Sequence, residues 1–432
     1  MDRRGVDARR HPWMHYVIWG WRREIALGAG TVIVLSIARE VAGALPAILI
    51  VSAVLALRAS PSLRRAVQRV LRGAIRERRL QLVFWWSDIV GRDGRLPVVR
   101  SEIAIPAGAR FLLQLPIGIH LAYLESRLGE LTAALNARTV RVGPWRGGAR
   151  FVELVVITKD PFGQVVRSSL VDSPQSGPGS LWDAVELGVG EDGRRVSVDL
   201  PEHNLLIGGE PGAGKSVALS CVVAAAALDP TCELTLLDPK EVELLPWRNV
   251  AHRVVGPSSD EAIGALEALH EVLASRYRNL VASGLRKVDR ARGDSLHVVI
   301  IDELAWFLRG GERSARERFA ELLRDLVARG RAAGIIVVAA TQKPSHDVVP
   351  TAIRDLFSYR LAMRCTSPEA SDTILGQGWA SQGFNAASVD PAQRGVGYLL
   401  AEGGVPQLFR AAFLSDEEVA AVATRARGIR GL

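Results

Sequence analysis

Residues 209–216 (GEPGAGKS) are the feature that most constrains how this chain can fold. They fit the pattern G-x-x-x-x-G-K-S, in which backbone N–H groups surround a phosphate and the lysine reaches the outer phosphates. A short apolar run, residues 204–208, precedes them, and a stretch without Gly or Pro, residues 217–228, follows. A strand that leads directly into a helix is the context in which this pattern binds phosphate, because the helix N-terminus adds partial positive charge. The predicted ATP-binding residues are Gly209, Glu210, Pro211, Gly212, Ala213, Gly214, Lys215 and Ser216.

A second motif expected with such a loop lies about 85 residues further along the chain. Residues 295–303 (SLHVVIIDE) are mostly aliphatic and end in Asp302 and Glu303. A near-continuous apolar run fits a central parallel strand that is covered on both faces. Asp302 is predicted to hold Mg²⁺ together with Ser216, and Glu303 to polarise the attacking water. A carboxylate at this position favours ATP hydrolysis over a GTPase switch, which uses a glutamine to orient its water.

Polar side chains also end two further predicted strands. Residues 235–240 (TLLDPK) and 334–342 (GIIVVAATQ) each pass from aliphatic to polar at their carboxyl end. Ligands bind at that edge of an open α/β sheet, so these ends are expected to line one crevice. Three of the five lysines, Lys215, Lys240 and Lys343, occupy such positions, while the 49 arginines supply most of the positive charge. A compact ammonium is not interchangeable with a guanidinium, which favours a functional role for these lysines.

The positive charge of the chain is concentrated near its start. Residues 1–80 carry a net charge of +10, so the other 352 residues sum to about −2. Two apolar stretches, residues 25–38 and 41–57, lie between arginine-rich flanks. Because both flanks are basic, the positive-inside rule places both on the cytoplasmic side and predicts a two-pass hairpin in the cytoplasmic membrane. A buried core hairpin or a single interfacial helix would fit the same stretches.

The next segment, residues 62–80, has a helical pattern of apolar residues surrounded by arginines. Such a basic amphipathic helix suits the surface of an anionic membrane leaflet. A linker helix packed on the rest of the protein, or one that contacts DNA phosphates, would show the same pattern.

A chain of 432 residues predicts two or three domains. We expect four segments: a membrane anchor at 1–58, a basic helix and linker at 59–97, a small α+β domain and linker at 98–179, and an ATPase motor at 180–432. The motor is predicted to be an α/β, RecA-like P-loop ATPase core, with a mostly parallel sheet and helices on both faces. Cys221, Cys232 and Cys365 show no metal-ligand spacing, which suits a reducing compartment.

Four motifs of the predicted motor resemble the FtsK/SpoIIIE family of membrane-anchored DNA translocases. They are DPKEVEL from Asp238, VVIIDELA from Val298, GRAAGIIVVAATQKPS at residues 330–345 and SPEASDTILG at residues 367–376. The resemblance implies that ATP and Mg²⁺ are cofactors and that Lys215, Asp302 and Glu303 are catalytic. It also implies that Gln342 is a sensor of the nucleotide. Arg331 matches an arginine finger that reaches the ATP of a neighbouring subunit, which implies a hexameric ring around double-stranded DNA.

The function expected from these features is ATP-driven translocation of double-stranded DNA at the cytoplasmic membrane, with the motor in the cytoplasm. A short, arginine-rich chain with one motor resembles members that act in conjugative or intermycelial-type DNA transfer. Protein secretion of the EccC type, chromosome segregation, or remodelling of a protein partner by a membrane-bound ATPase are the alternatives. No winged-helix segment is recognised after residues 414–418, so the sequence leaves two expectations for the direction of transport: a separate DNA-recognition or loading protein sets it, or the motor acts without polarity.

Overall fold

The computed structural model describes residues 60–172, 177–342, 344–345 and 348–432. The predicted membrane hairpin and Lys343 lie outside these residues. Among the described residues, no helix combines the length and the hydropathy needed to cross a bilayer. The chain forms two compact units. The first ends at Thr158, and the second consists of Lys159–Leu432 together with Ile105–Ala107, which lie within the first unit's span of sequence.

The described residues of the first unit form a four-stranded sheet and three helices. Its elements are α1 (Pro61–Trp86), β1 (Val98–Ile105), β2 (Gly108–Gln114), α2 (Leu121–Ser126), α3 (Leu128–Ala134), β3 (Thr139–Pro144) and β4 (Phe151–Ile157). The strand order is β1-β2-β4-β3, and β4 pairs antiparallel with both β2 and β3. Strands β1 to β4 and helices α2 and α3 lie within residues 98–179, the segment that the sequence predicts to contain a small α+β domain. The sequence did not reveal β1, whose residues are mostly exposed and therefore lack a clear alternation.

The end of α1 belongs to the core of this first unit. Leu80, Val83 and Phe84 are buried there, in a cluster that includes Leu113 and Leu131. The Arg79 guanidinium donates to the carbonyl oxygen of Leu135 at 2.9 Å. The basic helix is therefore fixed at its C-terminal end by packing within its own unit.

The second unit is built on one ten-stranded sheet. Its strands are β5 (Val185–Gly190), β6 (Arg195–Val198), β7 (Leu205–Gly208), β8 (Glu233–Leu237), β9 (Arg253–Val255), β10 (His297–Ile301), β11 (Ile335–Thr341), β12 (Tyr359–Met363), β13 (Val396–Leu400) and β14 (Gln407–Ala411). The order is β6-β5-β14-β13-β12-β7-β11-β10-β8-β9. The six strands from β12 to β9 are parallel, and the other four are added antiparallel. A mostly parallel α/β P-loop ATPase fold is therefore confirmed.

Helices cover both faces of this sheet. They are α4 (Ser169–Asp172), α5 (Lys215–Leu228), α6 (Ser259–Ala282), α7 (Leu304–Arg309), α8 (Arg313–Arg329), α9 (Thr351–Arg354), α10 (Pro368–Leu375) and α11 (Asp416–Arg430). Every residue of β10 and β11 is buried, because successive side chains alternate between two cores. Val298 and Ile300 pack into the core that contains α5, whereas Val299 and Ile301 pack into the core that contains α6 and α8.

Helix α5 is apolar on nearly all sides and is held at both ends. Its C-terminal carbonyl oxygens, which have no partner within the helix, accept hydrogen bonds from Arg430 of α11. That guanidinium donates to Ala227 at 2.7 Å, and also to the carbonyl oxygens of Ala226, Asp229 and Cys232. Cys221 of α5 is fully buried, and burial raises the pKa of its thiol to about 12. This environment agrees with a packing role for Cys221.

Candidate active site

The phosphate loop, residues 209–216, joins β7 to α5 at the carboxyl edge of the parallel strands. Gly214 has φ +105°, a left-handed conformation that favours glycine. A Cβ on Gly214 would also lie 2.7 Å from the Cα of Gly395, so any side chain would force the two backbones apart. The backbone N–H of Gly395 donates to the carbonyl oxygen of Ala213 at 3.0 Å. The turn before β13 therefore braces the loop from outside.

Lys215 is the first residue of α5 and is only 6% exposed. Its Nζ donates to the carbonyl oxygens of Gly209 and Glu210, both at 2.8 Å. Burial lowers the pKa of Lys215 to about 8, although the nearby Glu303 carboxylate acts in the opposite direction. The ammonium group is thus held at the loop, poorly solvated, and would be stabilised by the negative charge of a phosphate.

Asp302 follows β10 and lies at the same edge of the sheet, with 5% of its surface exposed. Its Oδ2 accepts a hydrogen bond from Lys240 Nζ at 3.0 Å. Burial raises the pKa of Asp302, and the Lys240 ammonium opposes that effect. Asp238 fixes the turn that carries Lys240, because its carboxylate accepts from the backbone N–H groups of Lys240, Glu241 and Leu244. The polar ends of β8 and β10, which the sequence placed far apart, therefore meet.

Glu303, the N-cap residue of α7, contacts the end of β11. Its Oε1 accepts from Thr341 Oγ1 at 2.9 Å, and its Oε2 accepts from the backbone N–H of Gln342 at 3.1 Å. These bonds fix the direction of the carboxylate before any substrate is bound. Glu303, the predicted base, and Gln342, the predicted sensor, are consequently neighbours. The bond between them uses the main chain of Gln342 and not its side-chain amide.

A cavity of about 500 Å³ opens above the phosphate loop. Lys215, Ser216 and Gln342 line it, and so do Arg394 and Arg410. Sequence reasoning missed both arginines, because Arg394 lies in a turn and Arg410 in an antiparallel strand, and neither belongs to a recognised motif. Glu210, a predicted loop residue, forms an ion pair of 2.6 Å with Arg364, a third arginine that the sequence reading missed.

Arg331 does not join this group. It lies in a 3-10 helix, Gly330–Ala333, that leads into the amino end of β11. The seven residues of β11 separate it from Gln342, which corresponds to about 23 Å of strand. Its guanidinium donates to the carbonyl oxygen of Glu202 and forms an ion pair of 3.2 Å with Glu402. Arg331 therefore lies at the amino edge of the parallel strands, whereas the phosphate loop of the same chain lies at their carboxyl edge.

The residues at the carboxyl edge fit a magnesium nucleotide. The loop can surround phosphates, Lys215 supplies a positive charge, and the exposed Ser216 and the buried Asp302 supply oxygen ligands. Within the described parts of the chain, no group of three or more His, Cys, Asp or Glu could hold a metal alone. A magnesium ion here would take one or two protein oxygens and complete its shell with phosphate and water, as it usually does.

The sequence of this chain is similar to the sequences of known proteins. The FtsK/SpoIIIE family profile matches residues 180–297. DNA translocase FtsK of Pseudomonas aeruginosa is 28% identical over 352 residues, which cover 73% of this chain and 42% of that protein. DNA translocase SftA of Bacillus subtilis is 28% identical over 343 residues, which cover 74% of this chain and 34% of that protein. The chain thus spans less than half the length of these two relatives.

A solved structure shows the same fold. The pCW3 conjugation coupling protein TcpA, in its monomer form with ATPγS, superposes with a TM-score of 0.54. The two sequences are 20% identical, and the match covers 82% of this chain and 99% of TcpA. The match to the family profile and the similarity to the two DNA translocases confirm the resemblance to the FtsK/SpoIIIE family that the four sequence motifs predicted.

The lowered pKa of Lys215 predicts that ATP affinity falls as pH rises from about 7.5 to about 9.5. Above a pKa of about 8 the free protein has lost the lysine proton, and phosphate binding must then recover it. The dissociation constant should rise by up to about tenfold per pH unit. Isothermal titration with a non-hydrolysable ATP analogue in buffers of different ionisation enthalpy would measure both the affinity and the proton uptake.

The matched control is Lys215→Arg, which stays charged over this range. It should bind the analogue more weakly at every pH, with a flat profile. A wild-type affinity that is unchanged up to a pH of about 9.5, without proton uptake, would contradict this description of Lys215.

Proposed function

We propose that this chain, which carries an FtsK/SpoIIIE family domain, hydrolyses ATP to move double-stranded DNA. The observation that carries the proposal is the meeting of Lys215, Asp302 and Glu303 at one edge of the sheet. Three strand ends, separated by up to about 90 residues of sequence, supply these groups and Lys240 within one site. The similarity to two proteins named DNA translocases supports DNA as the substrate that is moved.

We assign each residue a role that its position or contacts support. Lys215 would bind the outer phosphates, while Ser216 and Asp302 would hold the metal. Lys240 favours the charged form of Asp302, which is the form that binds a cation. Glu303, already oriented by Thr341 and Gln342, accepts a hydrogen bond from the attacking water and aligns it. Bound magnesium-ATP supplies the phosphoanhydride bond and the positive charge that offsets the phosphates.

We further propose a ring of subunits, with a hexamer as the expected number. The position of Arg331 supports a ring. A residue at the amino edge of the parallel strands lies far from the active site of its own chain, so it can reach an active site only in another subunit. Arginine fingers supplied by a neighbour typically increase the rate of an NTPase by about 10³- to 10⁵-fold. The contact with Glu402 would hold the side chain until the neighbouring subunit arrives.

The place of action is also proposed. The two apolar stretches and their basic flanks support an anchor in the cytoplasmic membrane, with the motor in the cytoplasm. A role in conjugative or intermycelial-type DNA transfer is supported by the fold that the chain shares with TcpA, which is described as a conjugation coupling protein. A separate protein that loads the DNA or sets the direction of transport completes this proposal.

Duplex DNA is expected to stimulate ATP hydrolysis by the full chain in detergent or in vesicles. The DNA path should engage phosphates through basic side chains, so the stimulation should fall as salt rises. Steady-state phosphate release would be measured with long linear duplex, with single strands and with no nucleic acid, and Glu303→Gln would serve as the blank. Activity that is indifferent to duplex of any length, but increased by a secreted polypeptide, would replace DNA with protein as the substrate.

Mixing two inactive variants tests the trans role of Arg331. Lys215→Ala lacks phosphate binding, and Arg331→Ala lacks the proposed finger, so each alone should be reduced by at least about 10³-fold. In mixed rings, some sites combine the intact loop of the Arg331→Ala subunit with the intact finger of the Lys215→Ala subunit, and DNA-stimulated hydrolysis should partly return.

The matched control mixes Lys215→Ala with Glu303→Gln. Both of these changes affect the same side of the interface, so no site in the mixture is complete. Equal, negligible activity in the two mixtures would rule out a trans finger.

A further inference from the structure

Two large apolar side chains remain exposed beside the phosphate loop. Phe413, just after β14, is 41% exposed, and Val165, which lies before α4 in the chain, is 59% exposed. Both line the cavity that Lys215 and Ser216 also line. None of the roles proposed above for phosphate binding or hydrolysis uses either side chain.

Backbone pairing joins the two segments that carry these side chains. The backbone N–H of Phe413 donates to the carbonyl oxygen of Val166 at 2.7 Å, and the N–H of Ser168 donates to that of Phe413 at 3.3 Å. Arg167 and Phe413 form a parallel bridge. The strand β14 and the segment 162–168 are therefore joined, although about 245 residues of sequence separate them.

Arg410 adds a second attachment. Its guanidinium donates to the carbonyl oxygens of Phe162 and Gln164, the latter at 3.2 Å, so it holds the backbone immediately before Val165. Phe162 is itself buried in the core that contains α6 and α8. The wall formed by Phe413 and Val165 is thus built into the fold.

The lining of the cavity includes both polar and apolar side chains. Lys215, Ser216, Gln342, Arg394 and Arg410 are polar or charged, and Val165, Ala411 and Phe413 are apolar. A volume of about 500 Å³ lies within the range of sites that enclose a whole small ligand. A nucleotide also combines the two kinds of surface, because it has a charged triphosphate at one end and a flat aromatic base at the other.

We propose that Phe413 and Val165 form the nucleobase subsite of this ATPase. The base stacks on the ring of Phe413, and Val165 covers its edge. Stacking on an aromatic side chain uses the π-face that every base possesses and is sequence-tolerant for that reason. The inference rests on the ATP-binding part of the proposed function and does not depend on DNA.

The test compares ATP with inorganic triphosphate, which has the phosphates but no base. Both are titrated with magnesium into the full-length protein carrying Glu303→Gln, so that ATP is not consumed. Phe413→Ala should weaken ATP binding by roughly 5- to 150-fold and leave triphosphate binding unchanged. Phe413→Tyr keeps the ring and should bind ATP within about twofold of the parent protein. Val165→Ala should weaken ATP binding by a smaller factor, again without an effect on triphosphate.

Val405→Ala is the matched control, since Val405 is 55% exposed in the second unit but does not line the cavity. It should change neither affinity. The proposal is overturned if Phe413→Ala weakens ATP and triphosphate equally, or weakens neither. If Phe413→Ala weakens ATP binding but not triphosphate binding, while duplex DNA fails to stimulate hydrolysis, the nucleobase subsite is supported. The DNA substrate is then the part of the proposed function that fails.

Discussion

The in-register parallel pairing of β8, β10 and β11 is the constraint on which the rest of the site depends. Ile301 lies beside Leu237 on one side and beside Ala339 on the other, so β8 and β10 end at the same level and β11 continues for two more residues. Asp238 and Asp302 directly follow β8 and β10, and Thr341 is the last residue of β11. Register fixes which side chains face which core, because a slip of one residue would move every side chain to the other face. Burial of the aliphatic residues thus also positions the predicted catalytic groups.

The same edge concentrates charge in a place that water reaches poorly. Asp302 is almost fully buried, and Lys240 beside it supplies the opposite charge. Among the described residues, the hydrogen-bond partners of Lys215 Nζ are carbonyl oxygens alone, and burial lowers the pKa of Lys215. A phosphate would therefore meet an ammonium that is already desolvated and directed toward it, so little reorganisation is needed on binding.

Much of this arrangement could be predicted from sequence because it is encoded locally. Gly214 and Lys215 belong to one motif, and Asp302 and Glu303 end one strand; the structure brings them together at one edge, while their chemical roles stay predictions. Lys240 was singled out at a strand end, but its bond to Asp302 joins positions 62 residues apart and required the sheet order.

The parts that sequence reasoning missed depend on contacts between distant segments. The antiparallel half of the sheet contains β5, β6, β13 and β14, which come from two regions separated by about 200 residues, and their short strands carry no motif. Arg410 is one arginine among 49, and nothing in its neighbours indicates that it faces a cavity. From the sequence, Phe413 would be expected to be a core residue that follows a strand. In the fold it is 41% exposed.

The central claim is that hydrolysis at this edge moves the protein along duplex DNA. Displacement of a third strand from a triplex on linear duplex, followed in real time with the full chain and ATP, measures that motion directly. We predict displacement that requires ATP hydrolysis, is delayed in proportion to the distance of the triplex from the loading end, and is lost in Glu303→Gln. ATP hydrolysis stimulated by duplex without any displacement of the third strand would contradict translocation.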